Sequence, residues 1–222
     1  MKLQDKVAII AGGTKGIGLG IALEFVREGA RVVVGGTTEK NGSTAVQAIE
    51  SAGGEGLFVN CDVANLDDLD SIIERTVERF GRVDIYVANA GINDADKTHY
   101  LDITPEQYDR IMAVNLKGMF FGGQKAAQQM IAQGDGGTII NMSSVNAYLA
   151  LDSQFVYTVS KGGIQQLTKV QAVALATHNI KVNAMAPGPI ETDLMRRVGS
   201  DKQLLDTILS RTPIGRIGTP KE

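Results

Sequence analysis

Short, largely uncharged runs rich in β-branched residues alternate along this chain with longer segments of helical period. The runs are Lys6 to Ala11, Ala30 to Val34, Leu57 to Val59, Val83 to Ala88, Thr138 to Met142 and Lys181 to Ala186. A strand that stays apolar on both faces is buried on both faces, which is the signature of a parallel sheet. Between the runs, Ile17, Ile21 and Phe25 recur four apart, and Leu69, Ile72, Ile73, Val77 and Phe80 share one helical face over Leu66 to Phe80. A weaker helical pattern covers Asn41 to Ala52, another helix is expected over Phe155 to Thr177, and Thr104-Pro105-Glu106-Gln107 opens a helix expected to run as far as Gln133. Parallel strands joined by right-handed helical crossovers give an α/β fold, a doubly wound parallel sheet in a three-layer α/β/α sandwich. No linker, repeat or low-complexity tract interrupts the 222 residues, so a single domain over 1–222 is expected.

Composition narrows the function. Lys plus Arg is 22 against 25 for Asp plus Glu, a net charge of −3 that provides no basic field for nucleic acid. The single cysteine, Cys61, leaves neither a disulfide framework nor a cysteine-rich metal site, and a reducing cytoplasm is the expected compartment. The apolar run near the N-terminus, Val7 to Ala11, is too short for a signal peptide or a membrane span. His99 and His178 lack metal-ligand spacing, and no metal site is expected. Glycine is in excess: 26 of 222 residues, where an average protein carries ~7%.

The most informative glycines lie where the first strand becomes the first helix, in Gly12-Gly13-Thr14-Lys15-Gly16-Ile17-Gly18. Gly12 permits the turn, Gly16 lets the backbone approach a pyrophosphate, and Gly18 allows close helix–strand packing; the helix N-terminus adds free N–H groups and a partial positive charge. An NAD site typically carries an acid at the end of the second strand to hold the ribose 2′-hydroxyl. Here Val34-Gly35-Gly36-Thr37-Thr38 brings no carboxylate until Glu39, and Lys15 could pair with a 2′-phosphate. NADP(H) is therefore favoured over NAD(H).

Tyr157-Thr158-Val159-Ser160-Lys161 places a phenol and an ammonium four residues apart, on one helical face. A neighbouring cation lowers a phenol's pKa from its usual ~10 and makes it a usable general acid/base. With these residues fall Asn89-Ala90-Gly91 after the fourth strand, Asn115, Ser144 thirteen residues before Tyr157, and Pro187-Gly188. In this order and spacing the chain resembles the short-chain dehydrogenase/reductase family, in its single-domain Rossmann branch, over essentially its whole length.

The resemblance implies roles for particular residues. Tyr157 would donate a proton to a ketone or take one from an alcohol. Ser144, rather than its neighbour Ser143, would hydrogen-bond the substrate oxygen. Lys161 would hold the nicotinamide ribose and depress the tyrosine's pKa, and Asn115 would help order a water linking Lys161 to solvent. The cofactor would lie against Gly12, Thr14, Lys15, Gly16, Ile17 and Gly18, against Gly36 and Thr37, and against Asp62 and Val63 at the adenine. Asn89, Ala90 and Gly91 would line its ribose side, and Pro187, Gly188, Ile190 and Thr192 would flank the nicotinamide. Ala11 and Ala88 depart from the family's more usual threonine and asparagine. Family members usually continue with one more helix and a final strand beyond the point where Glu222 ends this chain. That segment often helps build a tetramer, so a homodimer or homotetramer is expected and the sheet edge here would be exposed.

The expected function is hydride transfer between NAD(P)(H) and a small-molecule secondary alcohol or ketone. A 3-oxoacyl carrier-protein reductase is one alternative, disfavoured by the lack of an arginine cluster in Ile92 to Tyr100; a non-catalytic dinucleotide sensor is another. The polar stretch Asn93 to His99 leans toward a sugar, polyol or small hydroxy compound. Ile190 to Arg211 is expected to form a mobile helical lid.

Overall fold

The computed structural model describes residues 1–93, 99–149, 154–193, 195 and 202–222. Six parallel strands form one sheet: β1 (Val7–Ala11), β2 (Arg31–Gly36), β3 (Gly56–Asn60), β4 (Ile85–Ala88), β5 (Gly137–Met142) and β6 (Ile180–Met185). Their spatial order is β3-β2-β1-β4-β5-β6, the doubly wound order in which the winding reverses between β1 and β4. The helices are α1 (Gly16–Arg27), α2 (Glu39–Ser51), α3 (Leu66–Phe80), α4 (Pro105–Met112), α5 (Gly118–Gln133), α6 (Phe155–Leu175) and α7 (Lys202–Ser210).

β1 shows why the strand runs are apolar throughout. Val7, Ile9 and Ala11 feed one core, shared with α3, α5 and α6, while Ala8 and Ile10 feed a second core under α1 and α2. Each of these five side chains is at most 1% exposed. Both faces of a central strand are covered, so period-2 polar alternation is absent.

Local signals set the helix ends. The Asn65 side chain accepts from Asp67 N at 3.1 Å to start α3, and Gly81 stops it at φ 82°. Thr104 and Gln107 form a reciprocal capping box ahead of α4. The helix expected to continue from there to Gln133 is interrupted. A π-helical turn occupies Ala113–Lys117, between α4 and α5. Such a turn inserts one residue into the ladder and re-aims the side chains beside it, and here it turns Asn115 fully into the interior.

Among the described residues, no helix is long and apolar enough to cross a membrane. His99 caps a short 3-10 turn and His178 ends another, and no group of potential metal ligands is found among the described residues. Burial pushes the Cys61 thiol up to about 12, so it is a small buried hydrophobe rather than a reactive group.

Candidate active site

The carboxyl ends of β1, β4, β5 and β6 converge on a cavity of about 200 Å³, whose lining includes Asn89, Ser144, Tyr157, Lys161 and Thr192. Tyr157 and Lys161 lie on α6, on the same face. The Lys161 Nζ sits over the phenol ring, 5.4 Å from its centroid. Lys161 is only 3% exposed, and its ammonium donates to the Met142 carbonyl at 2.8 Å, at the end of β5. Burial disfavours the charged amine and brings its pKa down to about 8.

Tyr157 behaves differently from the expectation that Lys161 depresses it. Burial raises its pKa above the ordinary phenol value, and the hydrogen bond with Ser144 acts in the opposite direction. The buried lysine gives its nearest donation to a backbone carbonyl, so its hold on the phenol is through space only.

The two adjacent serines divide the work. Ser143 Oγ donates to the Lys161 carbonyl at 3.1 Å and accepts from Gln165 Nε2 at 2.8 Å, which pins β5 to α6. Ser144 Oγ faces Tyr157 and accepts from Asn146 N at 3.2 Å. The thirteen-residue spacing thus selected the hydroxyl that meets the phenol.

Asn115 comes to the same place by another route. Its Oδ1 accepts from Ile92 N at 2.8 Å, and its Nδ2 donates to Ile92 O at 2.9 Å and to Ser160 Oγ at 3.0 Å. One amide hydrogen thus holds the loop after β4 and the other ties it to Ser160 on α6. A Cβ built on Gly91 would stand 3.5 Å from both Asn115 Oδ1 and Lys161 Nζ. These groups thus surround Gly91 on the cavity floor.

The glycine-rich turn fits a dinucleotide. Gly12 and Gly16 adopt φ of 77° and 57°, conformations that favour glycine. A Cβ on Gly18 would lie 2.2 Å from Gly12 O, so helix and turn pack closer than any other residue allows. Asn89 Nδ2 holds the same carbonyl at 2.7 Å. The Lys15 side chain at the N-cap makes no capping hydrogen bond, and among the described residues the first N–H groups of α1 stay available for a pyrophosphate. Lys15 ion-pairs with Asp193 at 3.2 Å across the mouth of this turn, with both side chains half exposed. At the end of β2, a Cβ on Gly36 would meet Thr14 at 2.9 Å, and Thr37 follows. Asp62 Oδ1 accepts from Ala64 N at 3.0 Å, and Val63 is buried beside it.

On the far side, Pro187, Gly188, Ile190 and Thr192 line the cavity. Ile190 bridges to Gly218 near the C-terminal end, and Thr192 packs 3.1 Å from where a Gly16 Cβ would be. Of the polar stretch Asn93 to His99, residues 94–98 lie outside the described residues. Of the expected lid, residues 194 and 196–201 do so as well, while 202–210 form α7, whose Ile208 reaches the cavity.

The sequence reading missed Met142, Ser160, Asn146 and Gln154. A carbonyl anchor leaves no sequence trace.

Known proteins resemble the whole chain. A family profile described as enoyl-(acyl carrier protein) reductase, of the short-chain alcohol dehydrogenase type, matches residues 11–222. An L-rhamnose 1-dehydrogenase (NAD(P)(+)) of Azotobacter vinelandii is 38% identical over 100% of this chain and 88% of its own length. A 3-oxoacyl-acyl-carrier-protein reductase of Thermotoga maritima is 37% identical, over 100% of this chain and 88% of its own. The crystal structure of a short-chain type dehydrogenase/reductase from Mycobacterium marinum superposes with a TM-score of 0.93 at 34% identity, covering 99% of this chain and 85% of that one. The chain belongs to the short-chain dehydrogenase/reductase family of NAD(P)-dependent oxidoreductases.

Proposed function

We propose that the chain interconverts a secondary alcohol and its ketone, with Tyr157 as the general acid/base. The observation that carries this reading is the meeting of the Tyr157 phenol, the Ser144 hydroxyl and the Lys161 ammonium in one cavity beside the glycine-rich turn. When bound, the nicotinamide dinucleotide accepts the hydride from an alcohol or supplies it to a ketone. In reduction, the Tyr157 Oη–H gives its proton to the ketone oxygen as charge develops there. Ser144 Oγ–H donates to the same oxygen and stabilises that charge. In oxidation, the phenolate takes the alcohol proton, and the Lys161 ammonium favours the phenolate by its charge. Asn115 keeps the loop of Asn89, Ala90 and Gly91 at its distance from Lys161 through the Ile92 backbone. NADP(H) is the favoured cofactor, because β2 ends in Gly36 and Thr37 without a carboxylate and Lys15 stands nearby with an exposed ammonium. A polyhydroxylated substrate, such as a sugar or polyol, is the favoured class, as with the Azotobacter relative. A homodimer or homotetramer in the cytoplasm is the favoured setting. The test is oxidation of NADPH, followed by its absorbance, with a panel of ketones. Tyr157→Phe should cut kcat by roughly 10²–10⁴-fold, the usual worth of a positioned acid/base, while leaving the Kd for NADPH within about threefold, since a fully bound nucleotide meets mainly other groups. Activity retained within tenfold refutes the assignment.

A further inference from the structure

Besides Asn89, whose amide holds the Gly12 carbonyl, three carboxamides reach the same cavity and take no part in the proton and hydride chemistry. Asn146 and Gln154 are 9% and 8% exposed, and Asn146 Nδ2 donates to Gln154 Oε1 at 2.6 Å. Asn146 lies in the short 3-10 turn that follows Ser144, and its backbone N–H holds Ser144 Oγ. Gln154 stands at the N-cap position of α6, three residues before Tyr157, without capping it through its side chain. The amide pair is therefore fixed relative to both catalytic hydroxyls. Asn93, on the loop after β4, also lines the cavity, and its Oδ1 is buried with no hydrogen-bond partner among the described residues.

A carboxamide carries two N–H donors and an acceptor oxygen. Among the described residues, the side chain of Asn146 keeps one N–H and its oxygen, Gln154 keeps two N–H groups, and Asn93 keeps its oxygen. Of these atoms Asn93 Oδ1 is fully buried, and leaving it unpaired costs about 1–3 kcal/mol; with the free donors and acceptor of Asn146 and Gln154, the cavity suits a ligand that both donates and accepts. Hydroxyl groups do both. A carboxylate or phosphate accepts only, which leaves Asn93 Oδ1 unmet. Among the described residues that line the cavity, the one charged side chain is Lys161, already donating to Met142. An aliphatic acyl chain would leave all three amides unmet.

We infer that Asn93, Asn146 and Gln154 form a hydroxyl-recognition subsite that reads a hydroxyl on a carbon next to the reacting one. The substrate class is then a vicinal di- or polyhydroxy compound, and neither a simple alcohol nor an acyl thioester. The inference rests on the reading of Tyr157 as the acid/base, because that places the reacting carbon.

The experiment compares kcat/KM for trans-cyclohexane-1,2-diol with that for cyclohexanol, which shares the ring and lacks the neighbouring hydroxyl. Where turnover is slow, the same ratio is read from Kd values. The wild-type chain should favour the diol by at least tenfold. Gln154→Met, which keeps the length and removes the hydrogen bonding, should lower that ratio at least tenfold. Asn93→Ala breaks no side-chain hydrogen bond among the described residues, so it should keep the thermal midpoint and still lower the ratio. A wild-type ratio near one, or an unchanged ratio in both variants, overturns the subsite. A shifted ratio alongside a fully active Tyr157→Phe would instead retain the subsite and refute the acid/base assignment.

Discussion

Lys161 is a cation held where the fold resists a cation, and that conflict can be measured. Burial lowers its pKa from 10.5 to about 8. At 1.36 kcal/mol per unit, the shift corresponds to about 3 kcal/mol. Below pH 8 the amine is charged in both the folded and the unfolded chain, so the folded state carries the whole desolvation cost. Between pH 8 and 10.5 the folded chain has released its proton while the unfolded chain still holds it. The unfolded state then binds more protons, and the free energy of unfolding rises with pH. Above 10.5 both are neutral and the cost is gone. Lys161→Met has no such titration. At pH 7 the variant escapes the cost but leaves the Met142 carbonyl without its donor, a loss of about 1–3 kcal/mol, so the two chains should be close in stability. As pH rises, the wild type should gain on the variant, by about 3 kcal/mol over the full interval. Urea unfolding of both proteins at pH 7, 8, 9 and 10 reads this directly, because titrating groups away from Lys161 cancel in the difference and the Tyr157 phenol beside it is held above its ordinary value. A difference that stays flat with pH would show that the ammonium is as well solvated in the folded chain as out of it, and the reasoning fails.

Two further outcomes follow from the same burial and charge. Tyr86 in β4 is 1% exposed, and its buried hydroxyl has no hydrogen-bond partner among the described residues. Tyr86→Phe should therefore stabilise the chain by about 1 kcal/mol and raise its thermal midpoint by ~2–4 °C, and a lowered midpoint would reveal a partner for that hydroxyl. Lys15→Ala should raise the KM for NADPH about tenfold, as expected for a lost charge-assisted hydrogen bond, and leave the KM for NADH nearly unchanged. Equal effects on both cofactors would place Lys15 at the pyrophosphate rather than at the 2′-phosphate.

What could be read from the sequence was what the chain decides locally. Gly12 and Gly16 had to be glycine because the turn takes them to positive φ, and Gly18 because its Cβ position is filled by a carbonyl. The Thr104–Gln107 box starts α4 because both partners lie within one turn. Tyr157 and Lys161 share a face because four residues make one helical turn. The missing parts all depend on how one element docks against another. Which carbonyl receives the Lys161 ammonium is settled by the approach of β5 to α6. Asn115 could be picked out by its place in the family pattern, but the π-helical turn that aims it at Ile92 and Ser160 is set by contacts 23 and 45 residues away in the chain. The Asn146–Gln154 bond spans eight residues, across a segment with no periodic pattern.

The same docking decides which proton state the site rests in. Burial acts on Tyr157 and Lys161 in opposite senses, raising the phenol and lowering the amine. Each shift favours the neutral side chain, as a dry cavity must. A neutral phenol is a proton donor, so the resting arrangement suits reduction of a ketone. Oxidation needs the phenolate, and two features of the fold work toward it: the Ser144 hydrogen bond, and an amine that at about 8 still carries its charge through neutral pH. The Met142 carbonyl is what keeps that charge in place, since its hydrogen bond holds the ammonium at 2.8 Å. On the proposed mechanism the end of β5 would contribute twice. It would offer Ser144 to the substrate oxygen, and it gives a backbone oxygen to the cation.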